Sequence, residues 1–353
     1  MRIVLFPEKE WVESAPEKEG LDARKLQAAM DVVARISGPQ GARQCVVIRD
    51  GRLVWRGEDI DDLHSVWSCT KSILSLTLGL LIEDGRCSLQ TRAADIYPPL
   101  EEDYPTVTLR HLVTFTSGYR PREASASAPP FEPASPHFAP GEAFHYSWES
   151  YLLALLLTKV AGEPLRDLFR RRVAEPIGLD ASAWRWGDWG VFDRLTGLRG
   201  VAVCGGSGLY ERGVWMTARA MARVGWLLAC GGRWDGRQIV AREWIEQATR
   251  SQVPAGIPLY EPAAWYRRLP GTYGYYWWTN GADSAGKRMW PAAPERTFAM
   301  QGHLNNICFV VPPWRMVVVR LGTDLAIDND LYDEFFAALR QDARYEETAS
   351  VEY

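Results

Sequence analysis

Ser68 and Lys71, three residues apart where an apolar run begins, form the sharpest chemical pairing in the chain. On a helix, residues i and i+3 share a face, so a hydroxyl and an amine at this spacing can meet. Serine is a poor nucleophile until a neighbour takes its proton. A lysine can do that where burial disfavours its charged form. An arginine, permanently protonated, cannot. Lysines are scarce, six of the 40 basic residues, and one placed beside Ile73, Leu74, Leu76, Leu78 and Leu80 is costly unless used or paired. Ser68 also falls in the first turn, where helix-end N–H groups can stabilise a developing oxyanion. The plain alternative is that Ser68 caps the helix and Lys71 reaches out to water. Spacing alone does not decide, because Ser284-Ala285-Gly286-Lys287 repeats it in a Gly-rich loop.

The elements around this pair can be read from pattern. Apolar residues at helical spacing over 21–36, with Asp22 as N-cap, predict a helix. Cys45–Ile48, Asp50-Gly51 and Leu53–Trp55 predict a β-hairpin. The helix from about Ser68 to Asp84, ended by Gly85, is apolar around most of its circumference and should be central. Further helices are expected at Leu109–Phe115, Tyr151–Val160, Leu165–Val173, Ala218–Leu228 and Arg242–Ala248. Pro121–Pro140 and Pro254–Pro270 should be long loops. Strands are expected at Tyr273–Thr279, Arg296–Gln301, Asn306–Val311 and Met316–Leu321, before a closing helix at Leu331–Leu339. Strands at both ends around a helical middle predict one antiparallel sheet built from both termini. The expected division is an α/β part (1–90 and 270–353) and a helical insertion (91–269).

At 353 residues, 47% hydrophobic and 24% charged, the chain can bury a substantial core. A net charge of −4 offers no broad basic face for a phosphate backbone, which argues against nucleic-acid binding. No apolar run reaches the length of a membrane span, and no signal peptide is visible, so a cytoplasmic, non-membrane protein is expected. Six scattered cysteines without a Cys-x-x-Cys pair predict reduced thiols rather than a disulfide framework or zinc site. His64 lacks a second histidine at ligand spacing, and His111 is expected to cap or pack a helix, so no metal and no cofactor are expected. With 16 tryptophans, aromatic lining of a pocket is an even prospect against core packing.

Here the chain becomes recognisable. His64–Asp95 and the stretch Val107–Gly118 resemble the serine β-lactamase-like superfamily, which includes class C β-lactamases, penicillin-binding proteins, family VIII esterases and nylon-oligomer hydrolases. A Ser-x-x-Lys pair is a signature of β-lactamases and penicillin-binding proteins. The resemblance continues through Pro140–Ser147, Gly205–Tyr210, Ala218–Trp244, Tyr273–Trp278 and Gln301–Pro312, covering nearly the whole chain in order. It implies an α/β (α+β) fold of the β-lactamase/transpeptidase type, with the site in a crevice between sheet and insertion. It further implies that Ser68 is acylated, that Lys71 takes its proton and that Tyr146 relays protons. A nearby ammonium would favour the ionised phenol of Tyr146; the competing reading is a core tyrosine.

Two positions depart from the superfamily pattern. Trp148 stands where Asn or a small polar residue is usual, and an indole cannot accept a hydrogen bond as an amide carbonyl can. Met300-Gln301-Gly302 aligns with the Lys-Thr-Gly-like strand and lacks its cation. Both departures point away from penicillins or D-Ala-D-Ala peptides and towards esters or neutral amides. Gly302 lets the backbone approach substrate, and the amides of Ser68 and His303 would form the oxyanion hole. A base or ligand role for the His303 side chain is a weaker alternative. Trp148, Tyr210 and Gln301 are the candidate substrate contacts, with some of Trp184, Trp186, Trp277 and Trp278 as further cleft aromatics. The alternatives are a β-lactamase or D,D-peptidase activity, and a catalytically silent binding protein on the same scaffold. Gly281–Lys287 nearly spells a phosphate-binding loop, but Arg288 follows it and Pro291 and Pro294 prevent the helix it requires. No Gly-x-Ser-x-Gly elbow occurs, so an α/β-hydrolase is not a rival.

Overall fold

The structure, a computed structural model, describes residues 4–36, 41–123, 130–189, 200–204, 212–261, 270–323 and 329–340. Among them the strands run in chain order β1 (Cys45–Arg49), β2 (Arg52–Arg56), β3 (His64–Ser65), β4 (Arg120–Pro121), β5 (Pro133–Ala134), β6 (Trp184–Gly187) and β7 (Gly213–Met216). Then come β8 (Arg233–Trp234), β9 (Arg237–Gln238), β10 (Trp278–Thr279), β11 (Phe298–Gly302), β12 (Asn306–Val311) and β13 (Met316–Arg320). The α-helices are α1 (Ala23–Ile36), α2 (Cys69–Glu83), α3 (Ala93–Ile96), α4 (Leu109–Val113) and α5 (Glu149–Ala161). They continue with α6 (Leu165–Phe169), α7 (Ala218–Ala229), α8 (Arg242–Ala248) and α9 (Asn329–Leu339).

The main sheet is antiparallel, in the order β10-β11-β12-β13-β1-β2, so strands from both ends of the chain meet at the β13–β1 pair. Its hairpin turn places Asp50 and Gly51 at positive φ, 54° and 80°. A two-residue turn between right-twisted strands needs that pair of conformations. β1, β12 and β13 are buried along their whole lengths because both faces are covered. Alternation decides which side chain meets which helix. On one face, Gly225 of α7 lies against Val317 and Cys308; a Cβ there would come within 2.6 Å of the Val317 methyl. On the other face, Phe309 packs its ring against Phe336 and Tyr332 of α9. We propose dividing the chain into an α/β part (1–90 and 270–353) and a helical insertion (91–269); α7, inside the second range, packs on the sheet of the first.

α2 is the inner helix. Every residue from Cys69 to Leu81 is buried, as its all-round apolar surface requires. Polar anchors fix its position. Ser72 donates to the Tyr276 carbonyl at 2.7 Å, the Trp277 indole donates to Ser75 Oγ at 3.2 Å, and Thr70 Oγ1 accepts from the Val214 amide at 3.0 Å. Asp22 accepts from the amides of Arg24 and Lys25, capping α1 as expected.

One expected strand differs. Only Trp278–Thr279 of the Tyr273–Thr279 segment pairs with β11. The Gly274 amide donates to the Trp277 carbonyl at 2.8 Å and Tyr276 takes a positive φ of 64°, so the chain doubles back. The Tyr276 hydroxyl donates to the Leu112 carbonyl at 2.9 Å, and this anchor to α4 overrides the strand propensity of the aromatic run.

Candidate active site

Ser68 sits at the N-cap of α2 with helical angles (φ −68°, ψ −7°) and makes no side-chain capping bond. Its hydroxyl is therefore not spent on the helix end. Trp67, immediately before it, has φ +49°. That conformation is costly for a bulky residue and persists only where the surroundings impose it.

Lys71, one turn on, is 4% exposed, and its Nζ donates to Ser68 Oγ at 2.9 Å and to the Cys204 carbonyl at 3.1 Å. Burial is the largest influence on the amine and lowers its pKa to about 8. When neutral, the same nitrogen at the same distance can accept the hydroxyl proton. The alternative of a lysine reaching out to water is excluded by this burial.

Tyr146 lies two residues before the N-cap of α5, and its phenol and the Ser68 hydroxyl are hydrogen-bond partners. Lys71 Nζ stands 5.0 Å from the centre of its ring. Phe115, itself at φ +57°, backs the ring at 4.5 Å between centroids, and Trp278 lies at 6.3 Å. Burial pushes the phenol well above its ordinary pKa, and the Ser68 bond offsets only part of this. The expectation of an ionised phenol is therefore corrected. Desolvation of the buried ring outweighs the attraction of the neighbouring amine, so Tyr146 holds its proton near neutral pH.

Glu149, the first residue of α5, is wholly buried. The Ser117 hydroxyl and the amides of Ser117, Gly118 and Tyr119 face its carboxyl. They are loosely aligned, and both oxygens lack a close, well-directed bond. Burial wins and raises its pKa well above the carboxylate range. The side chain joins the start of α5 to the turn at Ser117–Tyr119.

The third side of the site is the end of β11. Gly302 has extended angles (φ −128°, ψ 165°), so its need for glycine comes from close approach and not from φ. A Cβ here would lie 2.3 Å from the Val66 carbonyl oxygen and 3.0 Å from the Ser68 nitrogen. Gly302→Ala must push β11 and Ser68 apart, and kcat should fall by about 10²-fold, the cost of a misplacement on the ångström scale. Activity within threefold of the parent in a steady-state assay would contradict this. The His303 side chain is exposed and its ring meets Trp67 edge-on, 4.9 Å between centroids. Among the described residues no side-chain hydrogen bond joins it to Ser68 or Lys71.

The profile of the Beta-lactamase family matches residues 35–340. The chain belongs to the Beta-lactamase family. It has the fold of that family, with helices packed on antiparallel sheets. Solved structures with this fold include a penicillin-binding protein homologue from Caulobacter crescentus, 18% identical, TM-score 0.64, covering 89% of this chain and 96% of that one. A family VIII carboxylesterase is 18% identical with a TM-score of 0.67, covering 91% and 98%. A β-lactamase from Mycobacterium bovis is 20% identical with a TM-score of 0.61, covering 88% and 96%. At such identities the likeness is one of fold. No curated protein matches the chain.

The remaining expected residues fall in different places. Trp148 is the N-cap of α5, 37% exposed, and its ring lies tilted against Tyr151, 5.3 Å between centroids. Gln301 is half-buried on β11, one residue before Gly302, while Met300 is fully buried. Tyr210 lies outside the described residues. Among the further cleft aromatics, Trp184, Trp186 and Trp277 are core residues, and only Trp278 reaches the Tyr146 ring. Core packing wins there because short strands and turns bury both edges of a large ring. His111 caps α4 through a reciprocal bond with Thr108, as expected. Among the described residues no three His, Cys, Asp or Glu side chains are grouped as metal ligands.

Sequence reasoning missed the Cys204 carbonyl, Phe115 and the strained Trp67. A main-chain oxygen carries no residue-type signal. The strain at Trp67 appears only once the turn into α2 is built. A detectable signal was missed at Arg320, a charged residue at the end of the apolar run Met316–Val319.

Proposed function

We propose that this protein is a serine hydrolase that works through an acyl-enzyme on esters or small neutral amides. The observation that carries the reading is a buried lysine amine, its pKa lowered to about 8, 2.9 Å from a serine hydroxyl that caps nothing. In the first step neutral Lys71 accepts the Ser68 proton as Oγ attacks the substrate carbonyl carbon. The carbonyl oxygen takes the negative charge and is met by the amides of Ser68 and His303. Collapse re-forms the carbonyl and breaks the bond to the leaving group, which receives a proton through Tyr146. Water then attacks the ester on Ser68, giving its proton to the same base, and the acid departs as Oγ regains a proton.

Substrate choice follows from the third side of the site. Buried Met300 replaces the cation that would hold a substrate carboxylate, and exposed Trp148 presents an apolar face with no acceptor for an amide N–H. Both favour small neutral acyl groups, and Trp148, Gln301 and Tyr210 are the contacts we assign to them. No helix among the described residues is long and apolar enough to cross a membrane, and all six cysteines are free. The six unpaired thiols fit the reducing, cytoplasmic setting that we propose for the protein.

A kinetic panel tests the reading. Short-chain p-nitrophenyl esters should be turned over faster than a chromogenic cephalosporin or a charged linear peptide. A cephalosporin turned over faster than every ester would favour β-lactamase activity, and no turnover of any compound would favour a silent scaffold. On the best ester, kcat/KM should rise about tenfold per pH unit up to about pH 8 and then level, because the active fraction is the neutral amine. The raised phenol pKa of Tyr146 means that no falling limb follows directly above pH 8. A profile flat from pH 5 to 9 would contradict a lysine base.

A further inference from the structure

The turn after β11 is built from two consecutive non-glycine residues in the left-handed region, Leu304 at φ 61° and Asn305 at φ 58°. The conformation is costly for Leu304, though asparagine tolerates it, and such a turn survives only where neighbours over-determine it. The neighbours are unusual. Arg320, in the interior of the main sheet and 2% exposed, donates through Nη1 to the Leu304 carbonyl at 3.1 Å and the Asn305 carbonyl at 2.9 Å. Asn306 donates through Nδ2 to the His303 carbonyl at 2.7 Å and accepts at Oδ1 from the Gly322 amide at 3.1 Å. The Asn306 carbonyl in turn accepts from the Cys69 thiol at 3.3 Å, which ties the turn to the helix that begins at Ser68.

A buried guanidinium is expensive to keep unless its bonds do something. Here they fix the two residues that follow His303, and the Asn306 amide fixes His303 itself. We infer that Arg320 and Asn306 are positioning residues, which hold the strained turn so that the His303 amide points at the oxygen of the tetrahedral intermediate. The inference rests on the oxyanion role given to that amide. Neither residue touches substrate; each acts through the backbone of 303–305.

An oxyanion donor acts mainly in the transition state, so its loss lowers kcat and leaves KM nearly unchanged. Arg320→Met, which keeps much of the volume, should lower kcat on the best ester about 10²-fold with KM within threefold. Arg320→Lys, which keeps one cationic donor, should recover part of that loss. Asn306→Ala, a smaller truncation at the buried first residue of β12, should cost about tenfold in kcat and serves if Arg320→Met does not fold. The readout that separates positioning from general structural damage is inhibition by phenylboronic acid, whose tetrahedral adduct with Ser68 places an oxygen where the oxyanion forms. Its inhibition constant should weaken across these variants in parallel with kcat/KM, while the pH limb near 8 set by Lys71 stays in place.

Two results overturn the inference: kcat of Arg320→Met and Asn306→Ala within threefold of the parent, or lowered kcat with unchanged boronate affinity. Gly302→Ala separates this from failure of the underlying reading. If Gly302→Ala loses activity and boronate affinity while the other two keep both, only the positioning role is wrong. If Gly302→Ala also keeps both, the oxyanion assignment itself is wrong.

Discussion

Lys71→Met should reduce kcat/KM on every ester substrate by roughly 10⁴-fold or more, the scale seen when a base is removed from a nucleophile–base unit. It should do so without unfolding the protein. The direction on stability follows from linkage. The folded-state pKa of Lys71, about 8, lies below the 10.5 of an unperturbed lysine. Between these values the unfolded chain binds the proton and the folded chain does not, so this site's contribution to stability improves as pH rises through that window. Below about pH 8 the folded protein carries the full penalty of a protonated, desolvated amine. Methionine fills the same space without that penalty, although the Cys204 carbonyl loses its donor. The melting temperature of Lys71→Met at pH 7 should therefore match or exceed that of the parent while activity is lost. Lys71→Arg should be as inactive as Lys71→Met, since a guanidinium supplies positive charge but accepts no proton. Recovery of turnover in the arginine variant would mean that charge, not proton transfer, is what the position provides.

Tyr146→Phe is the second large effect. It removes the Ser68 partner and leaves the packing against Phe115 and Trp278 in place. Acylation and deacylation should both slow by 10²–10⁴-fold, as expected for a lost proton relay. Because the phenol is protonated throughout the working range, its removal should lower the plateau of the pH profile without moving the limb near 8. Pre-steady-state measurement of the p-nitrophenol burst separates the two steps. A burst of normal rate and size would restrict Tyr146 to deacylation.

The Ser68–Lys71 pair was legible because helical spacing turns sequence distance directly into side-chain contact. Ser68 and Lys71 need only α2 to meet, and α2 announces itself by its continuous apolar surface. The sheet was legible for a related reason: short, continuous apolar runs rich in β-branched residues mark β12 and β13, and Asp50-Gly51 marks the hairpin. What could not be read was set by tertiary contact. The aromatic run at Tyr273–Thr279 has the composition of a strand, but the Tyr276 bond to α4 folds it back. Trp184, Trp186 and Trp277 carry the same aromatic signal as Trp148, and only packing separates core rings from the one at the exposed start of α5. The protonation state of Tyr146 was misread for a similar reason: sequence proximity to a lysine gives the sign of one interaction, whereas burial of both groups decides the sum.

Covalent labelling is the most direct test of Ser68 as a nucleophile activated from within the protein. The intact protein should be treated with a fluorophosphonate at pH 8 and its mass and labelled peptide determined. One adduct should form, on Ser68, absent in Ser68→Ala and strongly slowed in Lys71→Met. A protein that hydrolyses esters while Ser68 stays unlabelled, or that carries its label on another residue, would contradict the account.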